Sequence, residues 1–483
     1  MTSLPPASLL EKLKDLLGPS GFTSDPDLLR PWVTDWRQRY TGDAAAMLSP
    51  ASSREVQAIV QLCAEAGVAL VPQGGNTSMV AGATPPADGS ALLLSLRRMR
   101  AIREISPAAG LAVCEAGVIL SELHDAAQRA GCRFPLSLAA KGSATIGGLV
   151  STNAGGTQVL RFGTMRSLVL GLEAVLPDGS LYEGLNPLKK DNRGYDLRQL
   201  LIGAEGTLGV ITAATLRLAP LPAGRTVAWV GLASPEAALT LLRRLEAGTG
   251  DAVESFELVP GSALDLVLHH IPDTRSPIES RCAWHVLVEA VETEPDGTKV
   301  EDNVMAILGE ALESGLVEDA AIASNERQAE DFWRIRESIS EAERADGPAA
   351  KHDISVAVDQ MPAFIVEAAK AVEDRFAGTR VIAFGHLGDG NVHFNVRAPE
   401  GASAQWVWED SVPLTAFVHD LVTATGGSIS AEHGIGQMKL AELARLGDPA
   451  RIGAMQAIKA AMDPRTIMNP GKLVPLADGL YRQ

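Results

Sequence analysis

Aromatic residues are scarce in this chain of 483 residues, where they make up 4% against a hydrophobic share of 46%. That hydrophobic share is ordinary for a folded globular protein, and the length predicts two or three domains rather than one core. The sequence has no uninterrupted apolar run of about 18 residues, no charged-then-apolar start typical of a signal peptide, and no internal repeat. We therefore expect a soluble, cytoplasmic protein.

Cysteine and positive charge are also limited. The four cysteines, Cys63, Cys114, Cys132 and Cys282, are scattered without CxxC spacing, so we interpret them as small buried residues in a reducing compartment. The formal net charge of -17 argues against nucleic acid and against an anionic membrane surface as partners. Any cationic site for an acidic substrate therefore has to be local.

The segment Phe384-Gly-His-Leu-Gly-Asp-Gly-Asn-Val-His-Phe-Asn395 carries the strongest functional signal. Asp-Gly between two apolar runs is a strong hairpin signal. With Asp389 and Gly390 as the turn, His386 is predicted to lie opposite His393, with Cβ atoms roughly 5 Å apart. Two imidazoles that face each other can share one metal ion.

A second segment, Ser430-Ala-Glu-His-Gly-Ile-Gly436, adds a carboxylate and a further histidine. Glu432 can complete a metal site, and its neighbour His433 must point elsewhere, free to act as a base. Asn395 faces the same side of the predicted hairpin as the histidine pair. A lone strand histidine is usually a structural residue, but several polar residues on one face favour a catalytic metal site, because buried polar groups without partners are costly.

Apolar periodicity predicts two regions of different architecture. The first alternates helices and strands and ends at the Pro/Gly-rich segment 219–224. The second, about 225–455, mixes long helical patterns with strands and hairpins, which indicates an α+β domain with an antiparallel sheet. Strands are predicted at 68–71, 91–95, 111–115, 169–175, 209–217, 227–232, 284–290, 354–358, 381–384 and 392–396. Helices are predicted at 7–17, 54–66, 235–247, 299–315, 327–345, 362–376 and 411–424.

Four loops of the first region consist almost entirely of small residues, at 71–78, 142–148, 153–156 and 203–209. Glycine permits positive φ and lets backbone N–H groups approach a phosphate closely, although each loop alone is more often a simple turn. No loop combines GxGxxG with a following helix and an acidic residue, which disfavours a Rossmann nucleotide site. Together the loops predict a long ligand, such as a dinucleotide held in a groove.

These loops and the segment Met468-Asn-Pro-Gly-Lys472 resemble the FAD-linked oxidase family of the vanillyl-alcohol oxidase type. The resemblance covers nearly the whole chain and implies three parts. An FAD-binding domain of two small α/β subdomains would occupy 1–220, and an α+β substrate (cap) domain with an antiparallel sheet would occupy 221–455. A segment at 456–483 would return to the FAD.

The resemblance also implies how FAD is held. The loop 72–78 would bind the pyrophosphate, while 137–157 and 205–211 would line the flavin and ribityl chain. No histidine follows the glycine pair of the first loop, and none precedes His124, so we expect FAD to be non-covalent. The implied FAD-binding residues are Pro72, Gln73, Gly74, Gly75, Asn76, Thr77, Ser78, Ser137, Gly142, Thr145, Gly147, Gly148, Asn153, Gly155, Gly156, Glu205, Gly209, Ile211 and Asn469.

Within this family, the two histidine-bearing segments resemble the D-2-hydroxy-acid dehydrogenase branch. The resemblance implies that His386, His393 and Glu432 bind a divalent metal, with zinc expected. It further implies that Asn395 and His433 bind the substrate and that His433 is the catalytic base.

The segment 333–341 and Lys351 match the same branch, which implies that Arg336, Ser340 and Lys351 grip a substrate carboxylate. Ser340 stands where the branch leads us to expect threonine, and it keeps the hydroxyl. Arg336 and Ser340 also share a face at i, i+4 of a predicted helix. An arginine fork and a lysine ammonium suit an anionic substrate, although either residue alone is more often an ordinary surface charge.

The expected activity is the FAD-dependent, metal-assisted oxidation of a D-2-hydroxy acid to the 2-oxo acid. D-2-hydroxyglutarate is the expected substrate and D-malate the second choice, with D-lactate or glycolate oxidation as the alternative. A flavin-free metal hydrolase and a non-catalytic flavin-binding subunit are rivals of other classes, and the Glu432–His433 pair argues against the second. The expected acceptor is an electron-transfer flavoprotein or a quinone-linked carrier, and the sequence leaves a homodimer open.

Overall fold

The computed structural model describes residues 4–293 and 299–475 of the chain. Its helices are α1 Ala7–Gly21, α2 Pro26–Val33, α3 Ser53–Ala66, α4 Leu120–Arg129, α5 Ile146–Ser151, α6 Val159–Phe162, α7 Met165–Leu168, α8 Leu197–Leu201, α9 Pro235–Thr249, α10 Gly261–His270, α11 Lys299–Glu313, α12 Glu326–Glu337, α13 Ile339–Asp346, α14 Met361–Arg375, α15 Val412–Ala424, α16 Leu440–Leu446 and α17 Pro449–Met462. Its strands are β1 Phe22–Thr23, β2 Met47–Leu48, β3 Ala69–Gln73, β4 Ala91–Ser95, β5 Ile102–Ser106, β6 Leu111–Glu115, β7 Cys132–Arg133, β8 Val169–Val175, β9 Leu181–Gly184, β10 Val210–Arg217, β11 Ala219–Pro220, β12 Gly224–Leu232, β13 Val253–Pro260, β14 Trp284–Glu292, β15 Asp319–Ile322, β16 Ala349–Ser355, β17 Arg380–His386 and β18 Asn391–Arg397. Within the described residues, no helix is long and apolar enough to cross a membrane.

The chain divides into two compact units. Unit 1 takes the chain up to residue 156, then 163–220, and then everything from His433 onward, while unit 2 takes 157–162 and 221–432. The first boundary therefore lies where the Pro/Gly-rich segment predicted it. The predicted return to the first unit at 456 is wrong. The chain returns to unit 1 at His433, because the last helices of the chain pack with unit 1.

The described residues of unit 1 form three sheets. One has the order β1-β2-β4-β3 with parallel pairs β2–β4 and β3–β4, and β4 is buried along its whole length, as strands of parallel sheets usually are. A second is antiparallel with the order β5-β6-β10-β8-β9, and β11 pairs with β7. Helices α1 and α3 cover a core that includes Leu13, Val60, Leu70 and Leu94, and Met468 joins this core through a parallel bridge to Leu70.

Unit 2 is built on one seven-stranded sheet with the order β15-β12-β14-β13-β17-β18-β16. Its described strand pairs are all antiparallel, as predicted. A core that includes Trp229, Phe332, Ile339 and Phe384 lies between this sheet and helices α10, α12 and α13. All residues of β13 are buried, so any polar side chain on this strand must find its partner inside the protein.

Two predicted elements of unit 2 differ from the structure. The predicted helix at 327–345 is two helices, α12 and α13, which meet at Ser338, so Arg336 and Ser340 do not lie on one continuous helix. The predicted strand at 354–358 begins and ends earlier in the structure, at Ala349 and Ser355, where its partner strand gives way to the hairpin turn at Gly390. Strands at 91–95, 111–115 and 169–175 have the bounds predicted for them.

Candidate metal centre and cofactor-binding loops

The histidine hairpin forms, but its register differs from the predicted one. β17 pairs with β18 so that His386 lies opposite Asn391, and the predicted pairing of His386 with His393 is therefore wrong by two residues. The turn takes four residues, 387–390, because the first of them is buried and donates its N–H to Phe256 O on β13 at 3.1 Å. A slip of two residues keeps each side chain on its face, so the two imidazoles still meet, with ring centroids 5.6 Å apart.

The three predicted metal ligands come together in unit 2. His386, His393 and Glu432 each place one ligand atom within 4.8 Å of the others. Asp353 of β16 holds the carboxylate-bearing segment, because its Oδ2 accepts the backbone N–H of Glu432 at 3.0 Å. Its Oδ1 accepts from the side chain of Asn391 at 2.9 Å. Asp353 thereby ties Glu432 to the hairpin that carries the two histidines.

A buried carboxylate that the sequence interpretation missed, Glu257 of β13, lies behind His386. Its Oε1 is 2.6 Å from Nδ1 of His386, and its Oε2 is 2.9 Å from Nε and 2.7 Å from Nη2 of Arg336. The Arg336 guanidinium also lies over the ring of Phe384, 4.8 Å from its centroid. That ring is 5.0 Å from the ring of His393. Each of the five side chains therefore contacts the next, in the order Glu257, His386, His393, Phe384 and Arg336, and Arg336 contacts Glu257 again; we refer to this set of contacts as the circuit.

The buried charges of this circuit shift one another's protonation. Burial would raise the pKa of the Glu257 carboxyl, but the positive charges of His386 and Arg336 lower it below its usual range. Burial would lower the pKa of His386, and the Glu257 carboxylate raises it above its usual range. Burial raises the pKa of Glu432, against the opposing charge of His386 and with other carboxylates adding to the effect. Two imidazoles and a carboxylate, with further buried carboxylates in surplus, fit the ligand preferences of a divalent ion such as zinc.

The structure brings together two of the predicted substrate-binding residues and leaves a third apart. Lys351 of β16 lies opposite Asn395 of β18, and both reach Oε2 of Glu343, at 3.3 and 2.7 Å. Glu343 is fully buried, and its Oε1 has no hydrogen-bond partner among the described residues. Burial raises the pKa of this carboxyl, against the opposing charge of Lys351. Ser340 is exposed and belongs to neither cluster.

The glycines of the predicted cofactor loops allow these loops to pack on one another. A Cβ on Gly75 would lie 1.9 Å from Ser143 O, and one on Gly156 would lie 2.2 Å from Ser137 O. Neither distance leaves room for a side chain. Glycine is therefore required at these positions by contacts between loops of unit 1, in addition to any approach to a ligand.

Several amide side chains that were predicted to bind FAD brace the loops from within. The Gln73 side chain donates to Trp32 O at 2.9 Å, and the Asn76 side chain donates to Thr34 O at 2.9 Å. The side-chain oxygen of Asn153 accepts a backbone N–H at 2.9 Å. Asn76 and Asn153 both have left-handed backbones, with φ of 53° and 49°, which asparagine tolerates better than most residues. What these loops offer to a ligand is thus mainly backbone.

Asn469 and Glu205 join the returning C-terminal segment to the loops. The Asn469 side chain donates to Gly82 O at 2.9 Å and to Glu205 O at 2.7 Å. The Glu205 carboxylate accepts the N–H groups of Ile435 and Gly436, each at 2.8 Å. Glu205, predicted to bind FAD, therefore holds the turn that directly follows the predicted base.

Two buried polar atoms of unit 1 that lack hydrogen-bond partners fit the binding of a flavin dinucleotide. Thr145 Oγ1 and Asn469 Oδ1 are buried and have no hydrogen-bond partner among the described residues. Such atoms are costly unless a ligand or water satisfies them. The remaining predicted FAD-binding residues all belong to unit 1, namely Pro72, Gly74, Thr77, Ser78, Gly142, Gly147, Gly148, Gly155, Gly209 and Ile211.

Three carboxylates that organise these clusters, Glu257, Glu343 and Asp353, were missed at the level of sequence. Glu257 left a partial signal, since it lies in the segment 253–260, in which five of the eight residues are apolar and two are glutamates. Glu343 left none, because an acidic residue in a helical pattern is usually solvated.

Comparison with known proteins identifies the family. Residues 221–473 match the C-terminal domain of FAD linked oxidases, and residues 44–184 match an FAD binding domain. The mitochondrial D-2-hydroxyglutarate dehydrogenase of Arabidopsis thaliana is 36% identical over 464 residues, which cover 96% of this chain and 80% of that protein. The D-2-hydroxyglutarate dehydrogenase of Stutzerimonas stutzeri is 35% identical over 468 residues, which cover 96% of this chain and 98% of that protein.

Solved structures share the fold at low sequence identity. p-Cresol methylhydroxylase with substrate bound superposes with a TM-score of 0.73 at 16% identity, over 99% of this chain and 97% of that one. 4-Ethylphenol oxidase from Gulosibacter chungangensis gives 0.72 at 17% identity, over 99% of this chain and all (100%) of that one. The predicted fold class is thereby confirmed. The chain belongs to the FAD linked oxidases, and its relatives confirm the D-2-hydroxy-acid dehydrogenase branch of that family.

Proposed function

We propose that this chain catalyses the FAD-dependent, metal-assisted oxidation of D-2-hydroxyglutarate to 2-oxoglutarate, with D-malate as a second substrate. The observation that carries the proposal is the cluster of two imidazoles and one carboxylate, whose ligand atoms lie within 4.8 Å of one another. The D-2-hydroxyglutarate dehydrogenases to which the chain is similar support the choice of substrate.

The reaction removes a hydride from C2 of the substrate and a proton from its 2-hydroxyl. When bound, FAD supplies the acceptor for the hydride and its two electrons. His386, His393 and Glu432 would hold a divalent ion, which would supply Lewis acidity for the hydroxyl and the adjacent carboxylate. His433 takes the hydroxyl proton, a task for which imidazole is suited at neutral pH. The Asn395 amide orients the substrate.

The second carboxylate of the substrate is assigned to Arg336 and Lys351. Arg336 directs Nε and Nη2 to Glu257, and its Nη1 has no hydrogen-bond partner within the described residues 4–293 and 299–475, so this group is available to an anion. Lys351 stands opposite Asn395 on the neighbouring strand. Because each cation is already paired with a buried carboxylate, less positive charge is left for a dianion, which favours D-lactate or glycolate as the second candidate.

The proposal includes the handling of the cofactor and its electrons. FAD is held non-covalently, since the loop that follows the glycine pair contains no histidine. The acceptor for the electrons that FAD would carry away is assigned to an electron-transfer flavoprotein or a quinone-linked carrier, and the chain is assigned to the cytoplasm. The bound ion is zinc, which two imidazoles and one carboxylate suit.

Anaerobic bleaching of the flavin with a panel of D- and L-2-hydroxy acids tests the proposal. D-2-hydroxyglutarate should bleach the flavin fastest and the L-acids should not bleach it. Treatment with a chelator should abolish bleaching while the flavin absorbance is retained, and added zinc should restore it. Undiminished bleaching in metal-free protein would remove the metal from the proposal, and faster bleaching by D-lactate than by either diacid would put the monoacid candidate first.

A further inference from the structure

The carboxylate of Glu257 is shared between a predicted metal ligand and a predicted substrate-binding residue. One oxygen lies 2.6 Å from Nδ1 of His386, and the other lies 2.9 and 2.7 Å from two nitrogens of Arg336. We propose that Glu257 is a positioning residue that couples the two halves of the site: it orients His386 toward the metal and holds Arg336 for the second carboxylate of the substrate. The inference rests on the proposed function.

On the metal side, the contact selects which nitrogen of His386 is available. Because Nδ1 is directed to Glu257, Nε2 is left as the ligand atom. A histidine ligand that donates its other ring N–H to a carboxylate is fixed in tautomer and orientation, and loss of such a partner typically weakens metal binding about 10- to 100-fold.

On the substrate side, Glu257 fixes the plane of the guanidinium. Two nitrogens of Arg336 converge on a single carboxylate oxygen, and the ring of Phe384 covers one face at 4.8 Å. Arg336 is only 9% exposed, so without Glu257 it would be a buried cation lacking its partner. A guanidinium held in one orientation binds an anion with less loss of conformational entropy.

The backbone position of Glu257 makes both contacts possible at once. It lies on β13, where it is paired with Leu287 of β14 on one side and with His386 of β17 on the other. With the strand fixed between two neighbours, only the side-chain length decides whether both partners are reached. Aspartate is shorter by one methylene, about 1.5 Å of reach, and cannot span the two.

The test compares two buried glutamates of the same strand. Glu257→Gln keeps the shape of the side chain but has one carbonyl oxygen for two N–H partners. We therefore expect the dissociation constant for zinc, measured by chelator competition, to rise about 10- to 100-fold. In the same variant KM for D-2-hydroxyglutarate should rise by a larger factor than KM for D-lactate. The matched control is Glu254→Gln, since Glu254 is equally buried but is paired with Arg161 at 2.7 Å. This control should keep the wild-type zinc affinity and KM ratio.

Two further measurements keep the inference testable if Glu257→Gln does not fold. Glu257→Asp keeps the charge but reaches at most one of the two partners, so it should either weaken zinc binding or raise the KM for the diacid, and wild-type values of both would contradict the inference. In a double variant, Arg336→Ala should add little to the diacid defect of the Glu257 variant. Two results would overturn this inference and leave the proposed function standing. One is equal zinc affinity in the wild type and the Glu257 variants, and the other is a loss of zinc affinity in the Glu254 control as large as that in the Glu257 variants. A wild-type protein that binds no zinc would overturn the proposed function and this inference with it.

Discussion

At the scale of the residue, each cation predicted to grip the substrate has a buried carboxylate as its partner. Arg336 is paired with Glu257, and Lys351 is paired with Glu343. Removing such charges from water costs free energy that their mutual attraction only partly offsets, so these pairs contribute little net stability. Their consequence is geometric, because a paired cation has a fixed orientation and a known set of remaining donors.

The donors that remain on Arg336 lead to a prediction about substrate choice. Arg336→Ala should lower kcat/KM for D-2-hydroxyglutarate about 10- to 100-fold, since a charge-assisted hydrogen bond contributes about 1.5–3 kcal/mol and each 1.4 kcal/mol is tenfold. For D-lactate the loss should be much smaller, because lactate has no second carboxylate. Steady-state kinetics with an artificial electron acceptor measure both values.

A neighbouring arginine supplies the control for this substitution. Arg334 is exposed on the same helix and donates to Pro272 O at 2.8 Å, so Arg334→Ala should leave both substrates unaffected. Equal losses for diacid and monoacid in Arg336→Ala would mean that the guanidinium binds the 2-hydroxycarboxylate end that the two share. The monoacid candidate would then be preferred.

At the scale of the element, the hairpin depends on the backbone conformation of its turn. Gly390 has φ of 80°, and a Cβ there would lie 2.0 Å from Val356 O. The carbonyl of Gly390 in turn accepts the N–H of Val356 at 3.0 Å. The turn between the two strands that carry the predicted ligands is therefore packed against the end of β16, and a side chain at this position would displace both the turn and the strand end.

Gly390→Ala should consequently disturb the metal centre as well as the stability of unit 2. Alanine in a left-handed conformation alone costs about 1–2 kcal/mol, and Gly401→Ala isolates this cost, since Gly401 has φ of 79° with nothing within 4 Å of an added Cβ. Gly390→Ala should lower Tm well beyond Gly401→Ala and should also weaken zinc binding. Equal values of Tm and zinc affinity in the two variants would show that the turn does not position the ligands.

The elements also show which parts of the site were predictable from sequence. The approach of the three predicted ligands to one another could be predicted from two short segments, because an even slip in register leaves side chains on the same face. Glu257 was not predicted because its role depends on His386, which is 129 positions away, and periodicity within a strand contains no information about such partners. The break between α12 and α13 at Ser338 was missed because the helical pattern of the sequence continues through it, so the local pattern gave no sign of an interruption.

At the scale of the whole molecule, the short segment 157–162 belongs to unit 2 although the chain on both sides of it belongs to unit 1. Ser255 of β13 donates its hydroxyl to Thr157 O at 2.7 Å, and Arg161 is paired with Glu254 at 2.7 Å. A Cβ on Gly388, in the turn of the histidine hairpin, would lie 2.8 Å from the side chain of Leu160. Within unit 2, the segment 157–162 therefore packs on β13 and on the hairpin turn.

The stability of the molecule should depend on pH through a histidine outside the candidate site. His285 of β14 is 2% exposed, and burial lowers its pKa from 6.5 to about 4. Trp229 donates its indole N–H to Nδ1 of His285 at 3.2 Å, so protonation would set two N–H donors against each other. Because the unfolded chain takes up this proton at a higher pH than the folded one, stability is present above pH 6.5 and is lost as the pH falls toward 4.

Urea unfolding at pH 7 and pH 5, followed by tryptophan emission, measures this loss. Between these values His285 should remove about 2 kcal/mol from the free energy of unfolding. His285→Gln should be less stable than the wild type at pH 7, because the buried contact with Trp229 changes. Between pH 7 and pH 5, however, its free energy of unfolding should drop by about 2 kcal/mol less than that of the wild type. His269→Gln, on the exposed side of α10, should keep the wild-type pH dependence. If His285→Gln keeps that dependence as well, the acid sensitivity arises from other groups, and the buried ring is not held neutral by its surroundings.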